Sequence, residues 1–230
     1  MITHQENHFS SSDLIKDIVI GMSDGLTVPF ALAAGLSGAV DNNHLVITAG
    51  LAEIIAGSIA MGLGGYLAGQ TEVDHYKSEL AREYLEVEQV PEKEKEEIKV
   101  LFAEYGFSET SQNMLADELA KDKDKWVNFM MKYELGLDKP DSKRARKSAA
   151  NIGFSYIVGG LIPLTPYFFT TQPQEGLKLS AIITLFCLLI FGGFKSKFTG
   201  QPIFKGAVRV AVIGALAASA AFGIAKLFGA

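Results

Sequence analysis

Five long apolar stretches run along this sequence, and only one of the polar stretches between them is long. The apolar runs cover residues 14–39, 45–69, 149–169, 177–194 and 203–228. A helix needs about 20 such residues, at about 1.5 Å each, to cross roughly 30 Å of hydrocarbon. The pattern predicts an all-α membrane protein with five spanning helices, the fourth being the shortest. Pro163 and Pro166 are placed to kink or break the third helix, and Pro29 the first. The polar stretch at 71–147 holds 19 of the 26 acidic residues and 14 of the 21 basic ones. It predicts a solvated insert between the second and third spans.

Within the insert the spacing predicts three helices. "TEVDHYKSELAREYLEVEQ" continues the second span. Pro91 opens "PEKEKEEIKVLFAEYG", which Gly106 stops. "SETSQNMLADELAKDKDKWVNFMMKYELG" starts with Ser108 as N-cap and ends at Gly136. Leu115, Leu119, Trp126, Phe129 and Tyr133 give this third helix an apolar stripe.

Charge adds an orientation. The loops at 40–44 and 170–176 carry no Lys or Arg. Lys143, Arg144, Arg146 and Lys147 precede the third span, Lys195, Lys197 and Lys205 separate the fourth from the fifth, and Arg209 lies just inside the last. The positive side faces the cytoplasm. The tail at 1–13 and the insert at 71–147 are therefore expected there, with spans one and two at 14–70 and spans three to five at 148–230. The tail lacks the basic and apolar regions of a cleaved signal peptide. A net charge of −5 without a basic aromatic patch argues against a nucleic-acid partner. Cys187, the only cysteine, lies in the apolar run "LFCLLIF", so no disulfide forms within the chain and thiolate metal sites are disfavoured.

Small residues mark the first two spans. Gly21 with Gly25, and Gly65 with Gly69, are GxxxG pairs; Ala31 with Gly35, and Ser58 with Gly62, have the same spacing. These pairs predict close packing of spans one and two. Two carboxylates lie deep in the same spans, Asp24 and Glu53. A charge at that depth costs at least about 3 kcal/mol and marks an ion path unless a neighbour satisfies it. For Asp24 the neighbours that could do so are Ser23, Thr27 and Ser58. Counted from the loop at 41–42, Asp24 and Met61 fall at similar depth. Glu53 lies about 12 Å nearer the far side. Glu53, Gly57 and Met61 share a helix face. Oxygen together with sulfur suits a divalent transition metal better than Mg²⁺ or Ca²⁺. Met61 alone would be read as packing.

The insert offers further ligands. Glu83 and Glu86, Glu94 and Glu97, and Met131 and Glu134 are i,i+3 pairs, the last beside Met130. Three helices bringing such pairs together would resemble the carboxylate cages of di-iron bundles. The competing interpretation is a solvated face with Lys93, Lys95 and Lys99 as partners. His4, His8, His44 and His75 form no ligand-spaced cluster.

With these residues assembled, the chain resembles the vacuolar iron transporter family. "DIVIGMSDGLTVPFALAAGLSGA", "AEIIAGSIAMGLGGYLA" and "SYIVGGLIPLTPYFF" resemble its first three spans, and the likeness extends in order over nearly the whole chain, insert included. The resemblance implies a five-span homodimer in a lipid bilayer, with a path between the two copies of spans one and two. It implies export of Fe²⁺ from the cytoplasm against protons, with Mn²⁺ and other divalent transition metals left open as cargo. It implies no catalytic residue and no cofactor beyond the transported and bound metal. The family's path residues match Asp24, Glu53 and Met61. Its cytoplasmic metal-binding domain matches Glu83, Glu86, Glu94, Glu97, Met130, Met131 and Glu134. The membrane would be vacuolar in a eukaryote and the plasma membrane in a prokaryote. Two rivals come from other classes. A membrane-anchored di-iron ferroxidase centred on the insert would leave Asp24 and Glu53 unexplained. A structural scaffold would tolerate Asp24→Ala.

Overall fold

A computed structural model describes residues 12–228; the expected tail at 1–13 lies almost wholly outside them, as do His4 and His8. The described residues form eight α-helices and one 3-10 helix, with no strand. They divide into two compact units, one made of residues up to Tyr66 together with Ala145 onward, the other of Leu67–Arg144.

The first unit contains helices long and apolar enough to cross a membrane, five in all. They are α1 (Ser12–Ala39), α2 (Asn43–Gln89), α6 (Arg144–Leu164, prolonged by the 3-10 helix Thr165–Phe169), α7 (Pro173–Phe198) and α8 (Ile203–Phe228). With 47 residues, α2 is more than twice as long as a span requires, and its second half belongs to the other unit. Helix α1 runs through Pro29 without a break. The third span does change character at its prolines. The α-helix ends after Pro163 and tightens at Pro166 into the 3-10 turn, while Ser180 Oγ donates to the Pro163 carbonyl at 2.7 Å. The fourth span is not short. Pro173 in the first turn starts α7 ahead of the apolar run, and the helix reaches 26 residues.

One end of this unit is closed by Asn43, whose Nδ2 donates to the carbonyls of Tyr167 (2.6 Å) and Thr170 (2.7 Å). Above it, Ala33, Val46, Ile54, Leu164 and Tyr167 form a buried cluster. The outward faces are apolar. Ile55, Ile59, Leu63 and Leu67 on α2 are each more than half exposed, as are Ile182, Phe186 and Ile190 on α7. Such surfaces suit lipid rather than water.

The small-residue pairs have a different partner from the one expected. A Cβ at Gly21 would lie 2.9 Å from Ser155 Cβ, one at Gly25 3.0 Å from Tyr156 Cα, one at Gly62 3.0 Å from the Ala149 carbonyl, and one at Gly65 2.6 Å from Ile152 Cδ1. These glycines of α1 and α2 admit α6 rather than each other. Gly35 faces Ala221 of α8. Close packing is thus present, but it wedges the third span against the first two.

The second unit has its own core of Tyr76, Val87, Ile98, Ala116, Trp126, Val127, Met130 and Met131. It holds the end of α2, then α3 (Pro91–Glu104), α4 (Glu109–Leu119) and α5 (Lys123–Tyr133). The single helix expected over 108–136 is therefore two. Asp122 ends it by capping α5, its carboxylate accepting from Lys125 N at 3.2 Å. The chain reverses at Gly106 (φ 81°) and Gly136 (φ 64°), a left-handed conformation in which only glycine is unstrained.

Candidate functional site

In the second unit, the tail of α2 supplies Glu83 and Glu86, α3 supplies Glu94 and Glu97, and the end of α5 supplies Met130, Met131 and Glu134. Three of these converge. Carboxylate oxygens of Glu83, Glu94 and Glu134 all lie within 4.8 Å of one another. Glu83 is 2% exposed and Glu94 1%. Glu83 Oε2 and both Glu94 oxygens are buried without a hydrogen-bond partner. Two unit charges at this spacing repel by about 3 kcal/mol at an effective dielectric constant of about 20. A cation among them, or protons on them, removes that cost.

The protonation equilibria reflect the crowding. Burial first, then repulsion from Glu134, Glu94 and Glu86, raises the Glu83 carboxyl to about 7, against a partial opposing pull from Arg82. Burial first, then Glu97, Glu86 and Glu134, raises Glu94 to about 7. Glu134 is exposed as a residue, yet its carboxyl faces the cluster. It too lies above the usual range through burial and the charges of Glu97 and Glu86. The cluster sits near neutrality between proton-bound and ionised forms.

Glu86 and Glu97 stand at its rim and carry counter-ions. Arg82 Nε lies 3.5 Å from Glu86, and Lys93 Nζ lies 3.1 Å from Glu97. The solvated-face interpretation thus holds for Glu97 with Lys93 but not for Glu83 or Glu94; Lys95 and Lys99 pair instead with Asp117 and Glu96. Met130 and Met131 are fully buried in the core that carries the cluster. A ferritin-like site takes a Glu-x-x-His from each of two helices. The only such spacing here is Glu72 to His75. Both are exposed, His75 faces Glu79 at 3.8 Å, and neither joins the cluster.

In the first unit, Asp24, Glu53 and Met61 are all half-buried. Thr27 donates to the Ser23 carbonyl (2.7 Å) and Ser58 to the Ile55 carbonyl (2.9 Å), each within its own helix. Two of the three hydroxyls that could have satisfied Asp24, those of Thr27 and Ser58, are directed elsewhere. Glu53 accepts a hydrogen bond from the Tyr156 hydroxyl through Oε1, while Oε2 is buried without a partner. Tyr156 was not legible as a site residue. Its backbone abuts Gly25, next to Asp24, and a Cβ at Gly57 would lie 2.5 Å from its ring carbon Cζ. One residue of the third span therefore reaches the neighbourhoods of both span carboxylates, Asp24 through its backbone and Glu53 through its hydroxyl. The available signal was a phenol inside an apolar span, which needs a partner when buried.

Asp17 also escaped notice. It looks solvated beside Lys16, but it is 1% exposed. Ser148 Oγ donates to it at 2.9 Å and Asn151 Nδ2 at 3.2 Å, joining the starts of α1 and α6.

The chain is similar to known proteins over nearly its whole length. The "Vacuolar iron transporter 1" of Oryza sativa subsp. japonica is 51% identical over 223 residues, covering 97% of this chain and 88% of that protein. The protein of the same name from Arabidopsis thaliana is 49% identical over 224 residues, covering 97% of this chain and 90% of its own. "Protein CCC1" of Saccharomyces cerevisiae is 40% identical over 233 residues, covering 96% of this chain and 71% of its own. The VIT family model matches residues 15–226. The chain is a membrane protein that belongs to the VIT family.

Proposed function

We propose that this protein moves Fe²⁺ out of the cytoplasm in exchange for protons, with Mn²⁺ and related divalent metals as further cargo. The observation that carries the proposal is the pair of buried glutamates, Glu83 with one carboxylate oxygen and Glu94 with both lacking a hydrogen-bond partner, meeting Glu134 on helices continuous with or following a span. The names of its relatives support iron as the substrate.

In this mechanism the unit at 71–147 lies in the cytoplasm and collects metal. Glu83, Glu94 and Glu134 supply oxygen, with Glu86 and Glu97 joining when their counter-ions yield. Met130 and Met131 add soft donors that favour Fe²⁺ over Mg²⁺. A carboxylate must release its proton to bind metal, so each capture returns protons to the solvent. Within the spans, Asp24 and Met61 receive the ion at one level and Glu53 further along. Tyr156 orients Glu53 through its hydrogen bond. The path lies between two copies of α1 and α2 in a homodimer, in the vacuolar membrane of a eukaryote or the plasma membrane of a prokaryote.

The test replaces Glu83, Glu86, Glu94 and Glu97 together with Ala in the full chain. Transport at low Fe²⁺ should fall, and saturating Fe²⁺ should partly restore it, because the span residues remain. Wild-type Fe²⁺ binding by the folded variant would contradict the proposal for this unit.

A further inference from the structure

We propose that the turn between α7 and α8 is a binding site for a phosphate group. A cleft of about 370 Å³ opens there between the end of one helix and the start of the next. Three cations from both helices line it: Lys195, Lys205 and Arg209. Ser196 and Gln201 add a hydroxyl and an amide, while the Thr199 hydroxyl donates to the Lys195 carbonyl at 3.1 Å; among the described residues no carboxylate lines it. Nor is one supplied nearby in sequence, since the chain carries no Asp or Glu after Glu175.

The cleft is built rather than incidental. The two helices meet without space for a side chain: a Cβ at Gly192 would lie 2.8 Å from the Gly206 carbonyl. Gly200, at φ 66°, reverses the chain, and Gln201 N then returns to the Ser196 carbonyl at 2.9 Å. The start of the 26-residue α8 opens beside it, where helix N–H groups and the dipole favour an anion. An orienting loop needs only positive charge. It does not need a concave site lined by a forked guanidinium, two ammonium groups and neutral polar groups, with no counter-ion among the described residues. That donor set matches the several anionic oxygens of a phosphate. At the end of membrane-spanning helices, the phosphate comes from an anionic lipid headgroup or from a soluble phosphate.

Binding to the full-length protein in neutral detergent at physiological salt distinguishes these. The probes are dioctanoyl phosphatidic acid, dioctanoyl phosphatidylcholine and inorganic phosphate. The variant Lys205→Gln/Arg209→Gln is compared with Lys178→Gln/Lys226→Gln, which removes the same charge from the opposite ends of α7 and α8. Phosphatidic acid should bind wild type in preference to phosphatidylcholine. Its affinity should fall at least about tenfold in the first variant and change less than about twofold in the second. Displacement of the lipid by inorganic phosphate at comparable concentration assigns a soluble ligand, and failure to displace it assigns the headgroup. Absence of binding by both phosphates, or equal loss in the two variants, overturns the proposal. Lys205 and Arg209 are exposed, and matching unfolding temperatures without ligand confirm that folding is not the cause.

Discussion

Lowering the pH from 7 to 6 should strip metal from the Glu83–Glu94–Glu134 cluster far more steeply than from an ordinary carboxylate site. Both buried glutamates titrate at about 7. For two such groups titrating independently, the fraction with both ionised is about a quarter at pH 7 and about one hundredth at pH 6. Metal competes with those protons, so apparent affinity should drop about thirtyfold over that interval. Carboxyls at the unperturbed value of 4.5 would stay ionised, and affinity would change by only about a twentieth. The assay is anaerobic calorimetric titration of the full-length protein with Fe²⁺, repeated on Glu83→Gln/Glu94→Gln to remove the contribution of other sites. The difference between the two proteins is the signal. A change of less than twofold between pH 7 and 6 would refute the placement of these groups in a crowded, buried site.

Two further predictions concern the spans. Asp24→Asn keeps the shape and removes the charge, so Fe²⁺ flux should fall to background while the unfolding temperature holds; normal flux would remove Asp24 from the path. Gly25→Ala places a methyl 3.0 Å from Tyr156 Cα and nearer still to its carbonyl oxygen, backbone that cannot rotate away, and should destabilise the protein by about 1–3 kcal/mol. Gly223→Ala points into open space and should be neutral or slightly stabilising, as a pair of thermal unfolding curves will show.

What the sequence revealed and what it hid divide along local and distant interactions. The spans followed from apolar length alone, a one-dimensional property, and α8 has the expected limits. The start of α7 was missed because Pro173 and its neighbours open the helix with polar residues outside the apolar run. The break at Asp122 was missed because Leu119 and Trp126 keep helical spacing across it, so periodicity could not show a cap. The glycine pairs announced close contact without naming the partner, and nothing local to Gly21 or Gly25 points to Ser155 or Tyr156, more than a hundred residues away. The same holds for Asp17, whose surroundings depend on Ser148 and Asn151. In the second unit, i,i+3 spacing proposed six ligands equally, with Met130 beside the last pair. Only the packing of three helices separates the buried Glu83 and Glu94 from Glu86 and Glu97, which keep their counter-ions.

The most direct test of metal–proton exchange uses the purified protein in sealed proteoliposomes, with Fe²⁺ and internal pH followed together. A pH gradient, acidic inside, should drive Fe²⁺ into the vesicles, and the lumen should become more alkaline as it enters. Dissipating the gradient should slow uptake, and Asp24→Asn should abolish both signals. Fe²⁺ uptake that leaves the internal pH unchanged and is indifferent to the gradient would contradict the exchange.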